Sequence, residues 1–226
     1  MMSQETELYR RCKSKGYKPT SVVEVGVYIP ETSNVINYIE DGVKTLLVEA
    51  DPRTVEKIRS RFGNLKNVTC QPVAVFDHNG SVKLVQRASS TFISSLKSPA
   101  VVNDSYAIRE EDEFEVQAVT FDTLDDGKID LLSIDIEGAE WFVLKHMKSR
   151  PAVISIETHG KYYINPYLKE INHWVNSNSY KIWYRDKSDS VYILKGTIQI
   201  NAIDRLLLIV KNLQLKLRRI KGAIVG

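Results

Sequence analysis

With 226 residues, 43% hydrophobic and 26% charged, the chain can bury one full core and has the composition of an ordinary globular protein. Its net charge of +3 is unevenly placed: residues 203–226 carry six basic side chains against one acid, Asp204, while residues 1–202 hold slightly more acids than bases. The body therefore lacks the basic face of a nucleic-acid enzyme, and two unrelated cysteines, Cys12 and Cys70, argue against a disulfide framework or a thiolate metal site.

The first residues lack the apolar run of a signal peptide, and no apolar stretch reaches the ~18 residues of a membrane span. A cytoplasmic protein is expected, at most peripheral to the membrane. Residues 1–19 read as a lead-in with a short helix over Glu5 to Lys15. Ser21 to Gly26 is a strand that ends in glycine, and Thr32 to Glu40 suits a helix stopped by Asp41-Gly42. Thr45 to Glu49 is a second buried strand. Asp51-Pro52 opens the next helix with an N-cap and a first-turn proline, and Gly63-Asn64 ends it after Phe62. Val68 to Val75 is read as one third strand, followed by a turn cluster at Asp77 to Gly80 and a strand at Ser81 to Val85. Residues 87–113 are polar and are expected to form an irregular loop over the sheet edge, with a solvated acidic run at residues 110–113.

Phe114 to Val119 and Ile129 to Leu132 are further strands. Behind the second, Ala139, Val143 and Met147 line one face of a helix that Arg150-Pro151 breaks. Ala152 to Glu157 is a strand leading into Thr158-His159-Gly160. Pro166 to Asn178 is a helix with Leu168, Ile171, Trp174 and Val175 inward, and Lys181 to Tyr184 and Val191 to Leu194 close the body as a hairpin. This alternation predicts an α/β domain over 20–197: a mostly parallel, Rossmann-like sheet flanked by helices, with an antiparallel edge hairpin. Residues 198–226 form a basic amphipathic helix. Its Ile203, Leu206, Val210, Leu213, Leu217 and Ile220 follow coiled-coil spacing, and Leu207, Leu208, Ile209 and Leu215 broaden the apolar face. Packing on the parent domain, self-association and contact with an anionic membrane through 203–221 all remain open.

The chemistry concentrates at Ser133-Ile134-Asp135-Ile136-Glu137-Gly138-Ala139. Two carboxylates there sit where a strand stops and a helix begins, the ligand edge of an open α/β sheet. On the same edge the first strand ends at Gly26 and the second at Glu49, the layout of a nucleotide-binding half in which the acid accepts from ribose hydroxyls. A surface acid at a strand end is the plainer reading of Glu49. The dinucleotide fingerprint is missing, since Tyr28 and Pro30 stand in Gly26-Val27-Tyr28-Ile29-Pro30-Glu31 where further glycines would let backbone amides reach a pyrophosphate. S-adenosylmethionine has no phosphate and tolerates this turn.

At these motifs the chain resembles the FkbM-type methyltransferases. The resemblance covers roughly residues 20–195 and rests on Val22-Val23-Glu24-Val25-Gly26, Val48-Glu49-Ala50-Asp51-Pro52, Pro72 to Val75, Thr120 to Leu124, Ile129 to Glu140 and Val153 to His159. It implies a class I S-adenosylmethionine fold and O-methylation, commonly of sugar hydroxyls in glycans, glycolipids or related small metabolites. By position, Val25, Gly26 and Tyr28 would line the aminoacyl end of the cofactor. Glu49 and Ala50 would meet the ribose, Val73, Ala74 and Val75 the adenine, and Asp135 the sulfonium; Ala74 reads equally as core packing. Glu24, Tyr28 and Pro30 replace the aspartate, asparagine and second glycine usual in the family's first loop.

A hydroxyl acceptor needs a base within ~3 Å, directly or through one water. Asp135, Glu137, and His159 with Glu157 are the candidates, with His159 or Asp135 preferred. Glu137 reads equally as a cap of its own helix. Asp135, Glu157 and His159 could also chelate Mg²⁺, a reading ranked below metal-free catalysis. Two rival functions stay open: a catalytically inactive methyltransferase-fold binding protein, and an NAD-linked sugar oxidoreductase.

Overall fold

The structure, a computed structural model, describes residues 3–87, 90–104, 106–160 and 162–225, with side chains in the last helix up to Leu217. In chain order the elements are α1 (Glu7–Ser14), β1 (Ser21–Val25), α2 (Ile36–Glu40), β2 (Lys44–Val48), α3 (Pro52–Phe62), β3 (Val68–Gln71), β4 (Ala74–Val75), β5 (Gly80–Arg87) and β6 (Ser90–Ile93). They continue with α4 (Pro99–Asp104), β7 (Glu113–Val119), β8 (Leu131–Ile134), α5 (Glu140–His146), β9 (Val153–Glu157), α6 (Leu168–Ser177), β10 (Tyr180–Arg185), β11 (Asp189–Leu194) and α7 (Ala202–Val225).

A seven-stranded sheet in the order β10-β11-β9-β8-β1-β2-β3 forms the centre. β3, β2, β1, β8 and β9 are mutually parallel, and β11 runs antiparallel to both β9 and β10. This is the expected parallel sheet with its antiparallel edge hairpin. Val22 and Val23 point to opposite faces of β1 and enter two separate cores, one under α1 and α2, the other under α5 and α6. Strands buried on both faces read as continuous apolar runs, which is why they were legible. Strand order reverses between β1 and β8, and a crevice opens outside the carboxyl ends of strands at such a point.

Three expectations need correction. The single strand over Val68 to Val75 is two: Pro72 has no N–H for the ladder, the chain turns, and β4 pairs with β7 instead. The helix expected from Thr32 starts only at Ile36: a 3₁₀ turn ends at Thr32, Ser33 breaks the helical path, and the buried Glu24 carboxylate holds this break by accepting from Ser33 Oγ and, at 2.8 Å, from Asn34 N. The insert is not an irregular loop. Its Thr91-Phe92-Ile93 run forms β6, which completes a second, four-stranded sheet in the order β4-β7-β5-β6. That sheet packs on α5 through Ala74, Val82, Leu84, Ile93 and Phe142. The acids also divide: Glu110 and Glu111 are solvated, whereas Glu113 begins β7 and pairs with Lys83 at 2.8 Å.

The last helix packs along β10, but not through its coiled-coil seam. Leu215, outside the seam, and Asp204 are buried, while Ile203, Leu206, Val210, Leu213 and Leu217 are exposed. The side chain of Ile220 lies outside the described residues. Among the described residues no helix is long and apolar enough to cross a membrane.

Candidate functional site

Gly26 is the hinge of the site. Its N–H donates to Val48 O at 2.9 Å, and Asp135 N donates to Val25 O at 2.9 Å, so the loop after β1 is tied to both neighbouring strands. Its φ is +89°, and a Cβ there would lie 1.8 Å from the carbonyl oxygen of Asp135. The sequence reading gave this glycine to ligand approach; the tight contact is with the protein's own backbone.

Around this hinge one crevice is lined by Val25, Gly26, Tyr28, Glu49, Ala50, Val73, Ala74, Val75 and Asp135. Every residue expected from the sequence at the cofactor is thus brought to one place. Tyr28 is 46% exposed and stands on the wall without filling the space, and Pro30 is buried in a 3₁₀ turn on the wall of neither crevice. Thr54, Leu84, Thr91, Phe92 and Ile93 also line it. The strand β6 that supplies three of them was missed because its apolar run is short and flanked by serines.

Glu49 is 8% exposed. Its Oε2 accepts from Val27 N at 2.9 Å and its Oε1 from Asp51 N at 2.7 Å. It is therefore a built-in part of the wall, not a surface acid. Burial pushes its carboxyl up to about 7, against the lowering by these backbone donors. Asp51 caps α3 as expected, accepting from Arg53 N at 2.9 Å.

A second crevice shares Gly26, Val27, Tyr28 and Asp135 with the first and is walled by Glu24, Ser33, Asn34, Asp186, Ser188 and Asp189. Of its acids, Asp186 and Asp189 were not singled out from the sequence. Asp189 sits in the expected turn of the hairpin, but register places it opposite Glu157. Burial raises Glu24 to about 7 and Asp189 to about 6.

Asp135 stands where the two crevices meet. Burial, then Asp189 and Glu137, hold its carboxyl well above the ordinary range; Glu157 is raised by burial and then by Asp135. Asp135, Glu140 and Glu157 each bring an oxygen within 4.8 Å of the others, a hard-donor set of the kind Mg²⁺ prefers. Glu140, however, is already committed. It accepts from Ile136 N at 3.0 Å, from Gly138 N at 3.1 Å and from Asn165 Nδ2 at 2.5 Å. Glu157 Oε2, by contrast, has no hydrogen-bond partner among the described residues.

Two candidate roles change. Glu137 does not cap its helix: it adopts a left-handed φ of 56°, lines the first crevice, and leaves the capping of the loop to Glu140. Burial raises Glu137 to about 7, while a hydrogen bond from Ser90 lowers it. A non-glycine residue held in this region is strained, and such strain collects at functional sites. His159 is buried, with Nδ1 2.9 Å from Thr158 Oγ1, and it belongs neither to the acidic cluster nor to the wall of either crevice. The alternative Mg²⁺ reading names His159 beside Asp135 and Glu157; among the described residues the oxygens that lie together are those of Asp135, Glu140 and Glu157.

The sequence profile of the methyltransferase FkbM domain matches residues 24–182. The chain belongs to that family. FkbM membership and the sheet order make it an S-adenosylmethionine-dependent methyltransferase in fold. Solved structures similar to this FkbM protein include a ribosomal protein L11 methylase from Lactobacillus delbrueckii subsp. bulgaricus (11% identity, 86% of this chain and 76% of that one, TM-score 0.41). A SAM-dependent methyltransferase from Aquifex aeolicus is similar at 13% identity, over 84% of this chain and 89% of that one, with a TM-score of 0.42. The Methanococcus jannaschii fibrillarin pre-rRNA processing protein is similar at 13% identity, 85% and 76% coverage and a TM-score of 0.42. No curated protein sequence matches the chain.

Proposed function

We propose that this FkbM protein is an O-methyltransferase that uses S-adenosylmethionine to methylate a hydroxyl of a sugar in a glycan, glycolipid or related small metabolite. One observation carries the reading: an open crevice at the β1/β8 reversal joins, at Asp135, a second crevice walled by acids and hydroxyls. The chemistry of the first crevice fits the cofactor. Glu24, Glu49, Asp135 and Glu137 lie on or beside it without a basic wall residue, which suits a sulfonium and an ammonium and repels a diphosphate. This speaks against the NAD-linked oxidoreductase. The open space beside Tyr28 speaks against an inactive binding protein.

When bound, S-adenosylmethionine supplies a methyl group already activated on sulfur. Glu49 would accept from the ribose hydroxyls, and Val73, Ala74 and Val75 would flank the adenine. The second crevice offers Asp186, Ser188 and Asp189 as hydrogen-bond partners for the hydroxyls of a sugar. Asp135 accepts the proton of the attacking hydroxyl, and its raised affinity for a proton matches that task. Positioning does most of the remaining work, since near-attack placement alone can supply several kcal/mol.

Incubation with methyl-labelled S-adenosylmethionine and a panel of sugars and nucleotide sugars tests the reading. Transfer to a hydroxyl is expected. Absence of calorimetric binding of S-adenosylmethionine would instead return the chain to a binding role.

A further inference from the structure

The outward face of α7 has no role in the site described. Ile203, Leu206, Leu213 and Leu217 are 66%, 60%, 56% and 59% exposed, and Leu207, Ile209 and Val210 are exposed beside them. At 100° per residue these side chains form one broad stripe, opposite the side that buries Leu215 and Asp204. Broken only by the exposed Gln214 among its described residues, an apolar surface of this extent marks an interaction site.

Charge indicates what covers it. Arg205 and Lys216 flank the stripe on one side and Lys211 on the other, where their stems can lie along apolar surface with the ammonium or guanidinium at its edge. The only acid of the helix, Asp204, is buried in an ion pair with Lys15 at 2.5 Å. A second copy of the helix would therefore bring cations against cations. A surface of anionic lipid headgroups complements both the stripe and its rim.

The direction of the helix ties this face to the site. Asp204 meets Lys15, which lies near the starting ends of the parallel strands, where Tyr17 OH donates to Asp130 O at 2.9 Å. Eight residues later Asn212 Oδ1 accepts from Arg185 Nη1 at 2.7 Å, at the far end of β10 and next to Asp186 of the second crevice. The axis thus advances from the back of the sheet to its ligand edge. The helix continues to Val225, roughly 20 Å further at 1.5 Å per residue.

We propose that the outward face of α7 docks on an anionic lipid bilayer and holds the ligand edge of the sheet at the membrane surface. On the transferase reading above, the acceptor is then membrane-borne, a glycolipid or lipid-linked sugar. The docking itself does not depend on that reading.

The test is co-sedimentation of the full chain with vesicles of phosphatidylcholine alone or mixed with phosphatidylglycerol, at low and high salt. Leu206→Ser/Leu213→Ser and Lys211→Glu/Lys216→Glu are run alongside, with circular dichroism to verify folding and light scattering to read mass. Binding is expected only to the mixed vesicles and should weaken with salt. The charge-reversed variant should lose about 25-fold or more in affinity, and the serine variant should not bind. Calorimetric binding of S-adenosylmethionine should be the same in all three proteins, so a failure of the transferase reading would show there and not in the pellet. No vesicle binding, equal binding to neutral vesicles, unchanged binding by the charge-reversed variant, or a dimer that the serine variant dissolves would each overturn the proposal.

Discussion

Gly26 and Asp135 meet backbone to backbone: the carbonyl oxygen of Asp135 occupies the place where any side chain at position 26 would begin, 1.8 Å from the ideal Cβ. The contact fixes the two strand ends between which the crevice opens. Gly26→Ala adds both this collision and an unfavourable positive φ, and neither neighbour is a flexible side-chain tip that can swing away. The variant should lose at least about 3 kcal/mol of stability, read as the shift of a urea unfolding curve. A loss below about 1 kcal/mol would mean that the loop gives way easily and that the contact does not shape the crevice.

Asp135→Asn separates chemistry from binding. The amide keeps the size of the side chain but cannot take a proton from the acceptor. Turnover with a sugar acceptor should fall by about 10²- to 10⁴-fold, while the calorimetric affinity for S-adenosylmethionine changes far less. Unfolding should not become easier, because Asp189, Glu137 and Glu140 all disfavour a charge at Asp135. Undiminished turnover would move the base elsewhere, with Glu137 next in line on the same wall.

Glu49→Gln examines the ribose end. Both carboxylate oxygens are engaged, one by Val27 N and the other by Asp51 N. The amide has one acceptor oxygen for these two donors, so one N–H is left without a partner, at a cost of about 1–3 kcal/mol in stability. Loss of the charged acceptor for the ribose should weaken cofactor binding by about tenfold to a hundredfold, the equivalent of ~1.5–3 kcal/mol. If calorimetry showed unchanged affinity together with lowered stability, Glu49 would be a structural clamp on the β1 loop and no more.

Legibility in the sequence followed burial. β1, β8 and β9, and β2 for most of its length, are buried on both faces and read as apolar runs, and their order alone brings Gly26, Glu49 and Asp135 to one edge. What stayed hidden depended on partners remote in sequence. Pro72 redirects a strand toward β7, a choice that only the second sheet explains. Glu24 unwinds the start of a helix through Ser33 and Asn34, and its side chain shows that only when folded. Glu137 and Glu140 are interchangeable as capping candidates by composition; the left-handed turn at Glu137 gives the amides to Glu140. His159 resembles an edge histidine in the sequence, yet the bridge from His159 to Ile164 folds the following segment back over it.

Four glutamates, the buried Glu24, Glu49 and Glu140 and the half-buried Glu137, are raised to about 7, in each case chiefly by desolvation. Between the ordinary glutamate range, about 4.5, and about 7, the folded chain retains protons that the unfolded chain gives up. Stability from this source is complete below that window and is lost as pH rises through it. Asp77 and Asp130 are lowered, Asp77 first by its bond to Lys145 and Asp130 by its bonds to Thr20 and Ser21 despite burial, so their contribution disappears on acidification below the ordinary aspartate range. The ligand-free protein should therefore be most stable near pH 5, and its melting temperature should fall toward pH 8. A bound cation reverses the trend by stabilising the ionised carboxylates. The rise in melting temperature given by S-adenosylmethionine should accordingly grow from pH 5 to pH 8, and S-adenosylhomocysteine, which lacks the sulfonium charge, should gain less over the same range. Thermal scans at both pH values with each nucleoside decide the matter: equal gains for the two, or a ligand-free melting temperature that climbs with pH, would show that the acids around Gly26 are not arranged for a positively charged ligand.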